Sequence, residues 1–165
     1  MAASIVWIVD TSSIVEVRRA VENTKKPQVF EKLTELVNEG RLMFPRQVLD
    51  ELERVADPAG PDQQYLWAKL NQTTACHNDP SLESVKAVLA VVPRVLDPDK
   101  DTGAEEADPY VLAKAVDLKQ AKTDARVVTE EKNDTPRKMS LRTAAGLLGI
   151  PSVPLRAFLE FEGIL

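Results

Sequence analysis

The chain opens with "IVWIV" (5–9), a largely β-branched apolar run that stops on Asp10 and gives way at Thr11-Ser12-Ser13 to the helical spacing of "IVEVRRAVE". β-branched and aromatic residues of this kind favour strands. The alternation recurs along the chain. "RLMF" (41–44), "ARVVT" (125–129) and the end of "SLRTAAGLLGIPSV" (140–153) read as further short strands, each separated by longer helical stretches. Strands alternating with helices constrain the fold more than any other feature, because they imply a parallel sheet held between helices. The expectation is an α/β chain: a three-layer α/β/α sandwich with a central, mainly parallel sheet of four or five strands.

Local signals place the helices. Ser13 with Glu16 three residues on has capping-box spacing, which starts the first helix there. In "KKPQVFEKLTELVNEG" (25–40), Val29, Phe30, Leu33, Leu36 and Val37 recur at helical spacing and Gly40 ends the run. Pro45 opens "PRQVLDELERVA", and "DPAGPD" (57–62) breaks the chain before the helical "QQYLWAKLNQ". "SLESVKAVLAVV" (81–92) is helical, "DPDKDTGAEEADP" (97–109) a loop, "YVLAKAVDLKQAK" (110–122) a strong helix, and "PLRAFLEFEGIL" a closing one. No repeat, low-complexity tract or long linker interrupts the order, so 1–165 reads as a single domain.

A chain of 165 residues buries roughly 70% of its unfolded surface. Its 21 basic and 26 acidic residues leave a net charge of −5. That argues against coating of nucleic acid by bulk charge, but not against a nuclease that gathers acid at a metal site and keeps its bases in patches. The apolar runs are too short to cross a bilayer and no signal segment opens the chain. Cys76 is the only cysteine, so no intrachain disulfide forms. Both features fit a reducing, cytoplasmic setting and no membrane partner. Cys76-His77 lacks the further ligands a zinc site needs, and no Gly-rich phosphate loop exists. Tyr65 and Trp67 read as packing residues, Phe158, Leu159 and Phe161 as core or a homodimer surface, and Arg18-Arg19 and Lys25-Lys26 as solvated faces.

The acids carry the chemistry. Ligands in open parallel sheets bind beyond the strands' carboxyl ends, where Asp10 falls. On a helical projection Asp108 shares a side with Val111, Leu112, Ala115, Val116 and Leu118, while Lys114 and Asp117 lie on the far side, where charge belongs. A carboxylate aimed at a core must be paired, hydrogen-bonded, protonated or metal-bound. In "VLDELERVA" both Glu51 and Glu53 border the apolar stripe, and spacing does not choose between them. After the strand ending at Thr129 come Glu130, Glu131 and Asp134. Gathered at one place, four carboxylates require cations, and oxygen-only donors suit Mg²⁺ or Mn²⁺. Such ions orient a water, help it ionise and stabilise a leaving oxygen in phosphodiester cleavage.

These residues resemble the PIN domain, a family of metal-dependent ribonucleases that includes VapC-type toxins, and most of all a PIN-like branch with an "ADP" signature. "VWIVDTSSI" looks like the family's opening strand and first aspartate, at Asp10. "FPRQVLDELER" is similar to the segment bearing its glutamate, at Glu51. "EADPYVLAKA" resembles the helix start with the second aspartate, at Asp108, and "ARVVTEEK" the last acidic motif, at Glu131. The four follow in order at spacings of 41, 57 and 23 residues. Many members carry Asp in the last motif, which leaves Glu130, Asp134 and Glu105 beside Glu131 as sources of the fourth carboxylate. The resemblance implies that Asp10, Glu51, Asp108 and Glu131 hold the metal and carry catalysis, supported by hydroxyls of Thr11, Ser12 and Thr129. If the chain cuts nucleic acid, Arg137, Lys138 and Arg142 are the expected RNA phosphate contacts, because they follow the last acidic motif. It further implies an endoribonuclease, the toxin of a toxin–antitoxin pair silenced by a small antitoxin protein. The rival is a catalytically silent PIN-like module acting through protein contacts. A phosphatase resembling the haloacid dehalogenases needs a second Asp two residues after Asp10, where this chain has Ser12.

Overall fold

The computed structural model describes residues 4–56, 62–98 and 106–165. Four strands form one sheet: β1 (Val6–Val9), β2 (Leu42–Met43), β3 (Ala125–Val128) and β4 (Ser152–Val153). All pairings are parallel and the order is β2-β1-β3-β4, with Trp7 beside Leu42, Val9 beside Val128 and Val128 beside Val153. Among the described residues eight α-helices flank it: α1 (Thr11–Ala20), α2 (Lys26–Asn38), α3 (Arg46–Val55), α4 (Gln63–Ala75), α5 (Leu82–Val91), α6 (Asp108–Gln120), α7 (Leu141–Leu147) and α8 (Leu155–Phe161). The result is a three-layer α/β/α sandwich. A 3₁₀ turn at Pro93–Val95 is the element that no sequence signal marks.

Helices cover both faces, so the two inner strands are apolar on both sides, as parallel strands are in such sandwiches. Trp7, Ile8, Val9, Val127 and Val128 are all buried. Helices α1 to α4 pack among themselves, α5 and α7 pack on α6, and α6 lies against β1 and β3. The last helix is clamped to the first strand. The Trp7 ring meets Phe158 edge-on at 5.0 Å and Phe161 at 5.5 Å, and its Nε1 donates to Glu162 Oε2 at 2.8 Å. Phe158 and Leu159 are therefore core. Trp67 packs against Phe30 and Phe44, as a packing residue should. Gly40 and Gly149 take φ of 74° and 72°, the left-handed turn that ends α2 and follows α7.

Three local expectations need correction. Helix α1 starts at Thr11, not at Ser13, and its N-cap is Asp10, whose carboxylate accepts from Ser13 N. The Ser13–Glu16 pair matches a capping box in spacing, but Ser13 is buried inside the first turn and Glu16 pairs with Arg19 instead. Lys114 does not face solvent. Its side chain is 3% exposed and its ammonium lies 2.6 Å from Asp79 Oδ1 and 3.1 Å from His77 O. Lys26 is likewise buried, donating to Asn23 Oδ1 at 2.7 Å.

Candidate metal centre

The sheet order decides where side chains converge. The chain leaves β1 for β2 on one side and later returns to β3 and β4 on the other. The strand order thus reverses between β1 and β3, and it is beyond the carboxyl ends at such a reversal that open parallel sheets bind ligands. Asp10 follows β1 directly and Thr129 follows β3, joined by a bond from Asp10 N to Val128 O at 3.1 Å.

Asp10 is 2% exposed and fully engaged. Its Oδ1 accepts from Ser13 N at 2.9 Å, its Oδ2 from Thr129 Oγ1 at 2.5 Å, and Ser12 Oγ reaches both oxygens at 2.8–2.9 Å. Burial nevertheless pushes the carboxyl up to about 6, against the pull of Thr129, Ser13 and Ser12. The same hydroxyls reach into the next segment: Thr129 Oγ1 accepts from Glu131 N at 3.0 Å and Ser12 Oγ from Glu130 N at 3.1 Å. Ser12 and Thr129 thus tie the end of β1 to the loop after β3.

That loop separates two adjacent acids. Glu130 turns towards α8 and accepts from Leu155 N at 3.0 Å, at the helix's exposed amides. Glu131 turns inward. Its carboxylate, that of Asp10 and that of Asp108 each offer one oxygen within 4.8 Å of the other two. Asp108 opens α6, and burial followed by the charge of Glu131 raises its carboxyl above the usual range, while Lys138 pulls the other way. Lys138 joins the cluster itself. Its ammonium lies 2.8 Å from Asp108 Oδ2 and against Glu131 Oε1. Burial works against its charge, but Asp108 and Glu131 outweigh burial and hold it protonated above the ordinary lysine range.

Glu51 stands outside this group of three. It accepts from Thr11 Oγ1 at 2.5 Å and from Ala107 N at 3.1 Å. It therefore grips the immediate neighbours of Asp10 and Asp108 and positions both. Glu53, by contrast, is exposed. Asp134 is exposed and accepts from Ser140 N at 2.8 Å, a bond that holds its carboxyl below the usual range. Glu105 lies outside the described residues. Arg137 and Arg142 are exposed, whereas Lys138 is committed to the acids. The sequence reading placed Lys138 on phosphate, and no spacing signal marks a pair whose members stand 30 residues apart.

The donor set fits a hard divalent cation: three carboxylates from three separate segments, with no imidazole or thiolate among them. Ionised, the three carboxylates and Lys138 leave a formal charge of −2. Cys76 plays no part, since burial pushes its thiol up to about 12 and keeps it protonated. Among the described residues no helix is long and apolar enough to cross a membrane.

Residues 7–164 match the family model described as Domain of unknown function (DUF4411), and the chain belongs to that family. No curated protein matches it.

Proposed function

We propose that the chain is a Mg²⁺- or Mn²⁺-dependent endoribonuclease in which Asp10, Asp108 and Glu131 hold the metal. The observation that supports this most is the meeting of three carboxylates from the ends of β1 and β3 and the start of α6, at the sheet's switch point. When bound there, a divalent ion supplies charge for the phosphate and lowers the cost of ionising a water. The protein's own residues do the rest. Ser12, Thr129 and Ser13 N fix the rotamer of Asp10, and Glu51 sets the starts of α1 and α6. Exposed Arg137 and Arg142 flank the loop and supply charge for the RNA backbone. RNA as substrate, and a role as a toxin held by a small antitoxin, rest on the PIN resemblance. So does a homodimer.

One observation favours a second reading. Lys138 already supplies a cation to two of the three acids, as a silent module acting through protein contacts would have it. The experiment that separates them is cleavage of a mixed, structured RNA with Mn²⁺ by wild type and Asp10→Asn, purified identically. Cutting by the wild type alone is expected. Equal cutting by both would mean a contaminant or a wrong site, and no cutting with no metal bound would favour the silent module.

A further inference from the structure

The loop from Thr129 to Ser140 brings Lys138 back to the acids, and its backbone is pinned on both sides. Lys138 N donates to Thr135 Oγ1 at 3.0 Å, Lys138 O accepts from Thr135 N at 2.9 Å, and Met139 N donates to Arg94 O at 2.7 Å. Only the side chain is left free to choose partners. It chooses Asp108 and Glu131, which are two of the three acids that would hold a metal.

The oxygens that the three carboxylates offer lie within 4.8 Å of one another. Such ions bind oxygen at about 2.1 Å, so one that reached all three would draw them in and take a place among the groups the ammonium already holds. Two cations at such range repel strongly in a partly buried site. The carboxylates gain more from two charges than from one, which favours the divalent ion in such a contest. Lys138 has somewhere to go: its side chain is 22% exposed, against 3% for Lys114.

Resting on the nuclease reading above, we propose that Lys138 is an exchangeable internal counter-ion. It balances the acids in the metal-free protein, yields Asp108 and Glu131 to the divalent ion, and swings out towards solvent. There its amine meets the phosphate of the substrate. The exchange suppresses like-charge repulsion before loading and turns one residue from metal surrogate to anion contact after it.

Amine labelling tests this without any activity. Wild-type protein is reductively methylated with and without saturating Mg²⁺, and each lysine's rate is read by mass spectrometry. Mg²⁺ is expected to speed labelling of Lys138 several-fold and leave Lys114 unchanged. In parallel, calorimetry compares Mn²⁺ binding to wild type and to Lys138→Met, which is expected to bind about tenfold more tightly because its competitor is gone. Lys138 that stays protected in metal-bound protein, or Lys138→Met with equal or weaker affinity, overturns the exchange alone. Binding of metal by neither protein removes the nuclease reading and the exchange with it. Should Lys138→Met fail to fold, the wild-type labelling decides by itself.

Discussion

Lys114 and Lys138 are both held by carboxylates, yet they sit in opposite electrostatic situations. Lys114 has one acid, Asp79, and a backbone carbonyl, and almost no exposure. Charge balances there, and the pair ties α6 to the turn after α4. Lys138 faces Asp108 and Glu131 with Asp10 behind them, so negative charge is in excess. A balanced buried pair holds a fold together, whereas the excess charge beside Lys138 is what the proposed metal would offset. Asp10 is buried and Asp108 and Glu131 are half-buried around one lysine, and holding that much negative charge away from water is costly.

The sharpest way to break the comparison is to unbalance the balanced side. Asp79→Ala leaves Lys114 buried without its counter-ion and removes the acceptor of Arg46 N at the start of α3. It is expected to cost about 4 kcal/mol in urea unfolding. A loss under about 1 kcal/mol would mean that Lys114 reaches water and the contrast fails.

Neutralising the unbalanced side behaves differently, and with pH. The folded-state value of Asp10, about 6, lies above the ordinary 3.8. Its proton is therefore held more tightly in the folded protein, and that stabilisation is full below 3.8 and lost as pH rises through 6. Asp10→Asn cannot titrate. The stability of wild type relative to Asp10→Asn is expected to fall by about 2 kcal/mol from pH 4 to pH 7. Denaturant melts at both pH values check this, and a difference independent of pH would contradict the burial of a titrating Asp10.

The smallest effect concerns the two glutamates of α3. Glu51→Gln keeps its shape but weakens its hold on Thr11 Oγ1 and Ala107 N, at a cost of about 1–2 kcal/mol. Glu53→Gln, on the exposed face, should stay within about 0.5 kcal/mol of wild type. Equal effects in thermal melts would remove Glu51 as the residue that positions the acids.

Much of this was legible in the sequence where the signal is local. The runs around Trp7 and Val127 are β-branched and apolar, and they became the inner strands. Asp10 and Asp108 stood out because each sat where an isolated charge needs a reason. What escaped depended on distant partners. A helical projection sends Lys114 to solvent because it carries no knowledge of Asp79, 35 residues earlier. The capping box at Ser13 and Glu16 fitted the local pattern, but Asp10 serves as cap and site residue together. Glu130 and Glu131 are neighbours with similar chemistry, and only the position of α8 shows that one of them caps a helix. Glu51 was read as a fourth ligand, and among its contacts are bonds from Thr11 Oγ1 and Ala107 N, the immediate neighbours of Asp10 and Asp108, which no local pattern announces.

The central claim is that Asp10, Asp108 and Glu131 take a divalent cation together. Crystals grown with millimolar Mn²⁺ and measured at an energy where manganese scatters anomalously test it most directly. The account predicts a peak about 2.1 Å from an oxygen of each of the three carboxylates, with the Lys138 ammonium moved away from Asp108 and Glu131. A map with no peak there, and Lys138 still seated between the two acids, would contradict it.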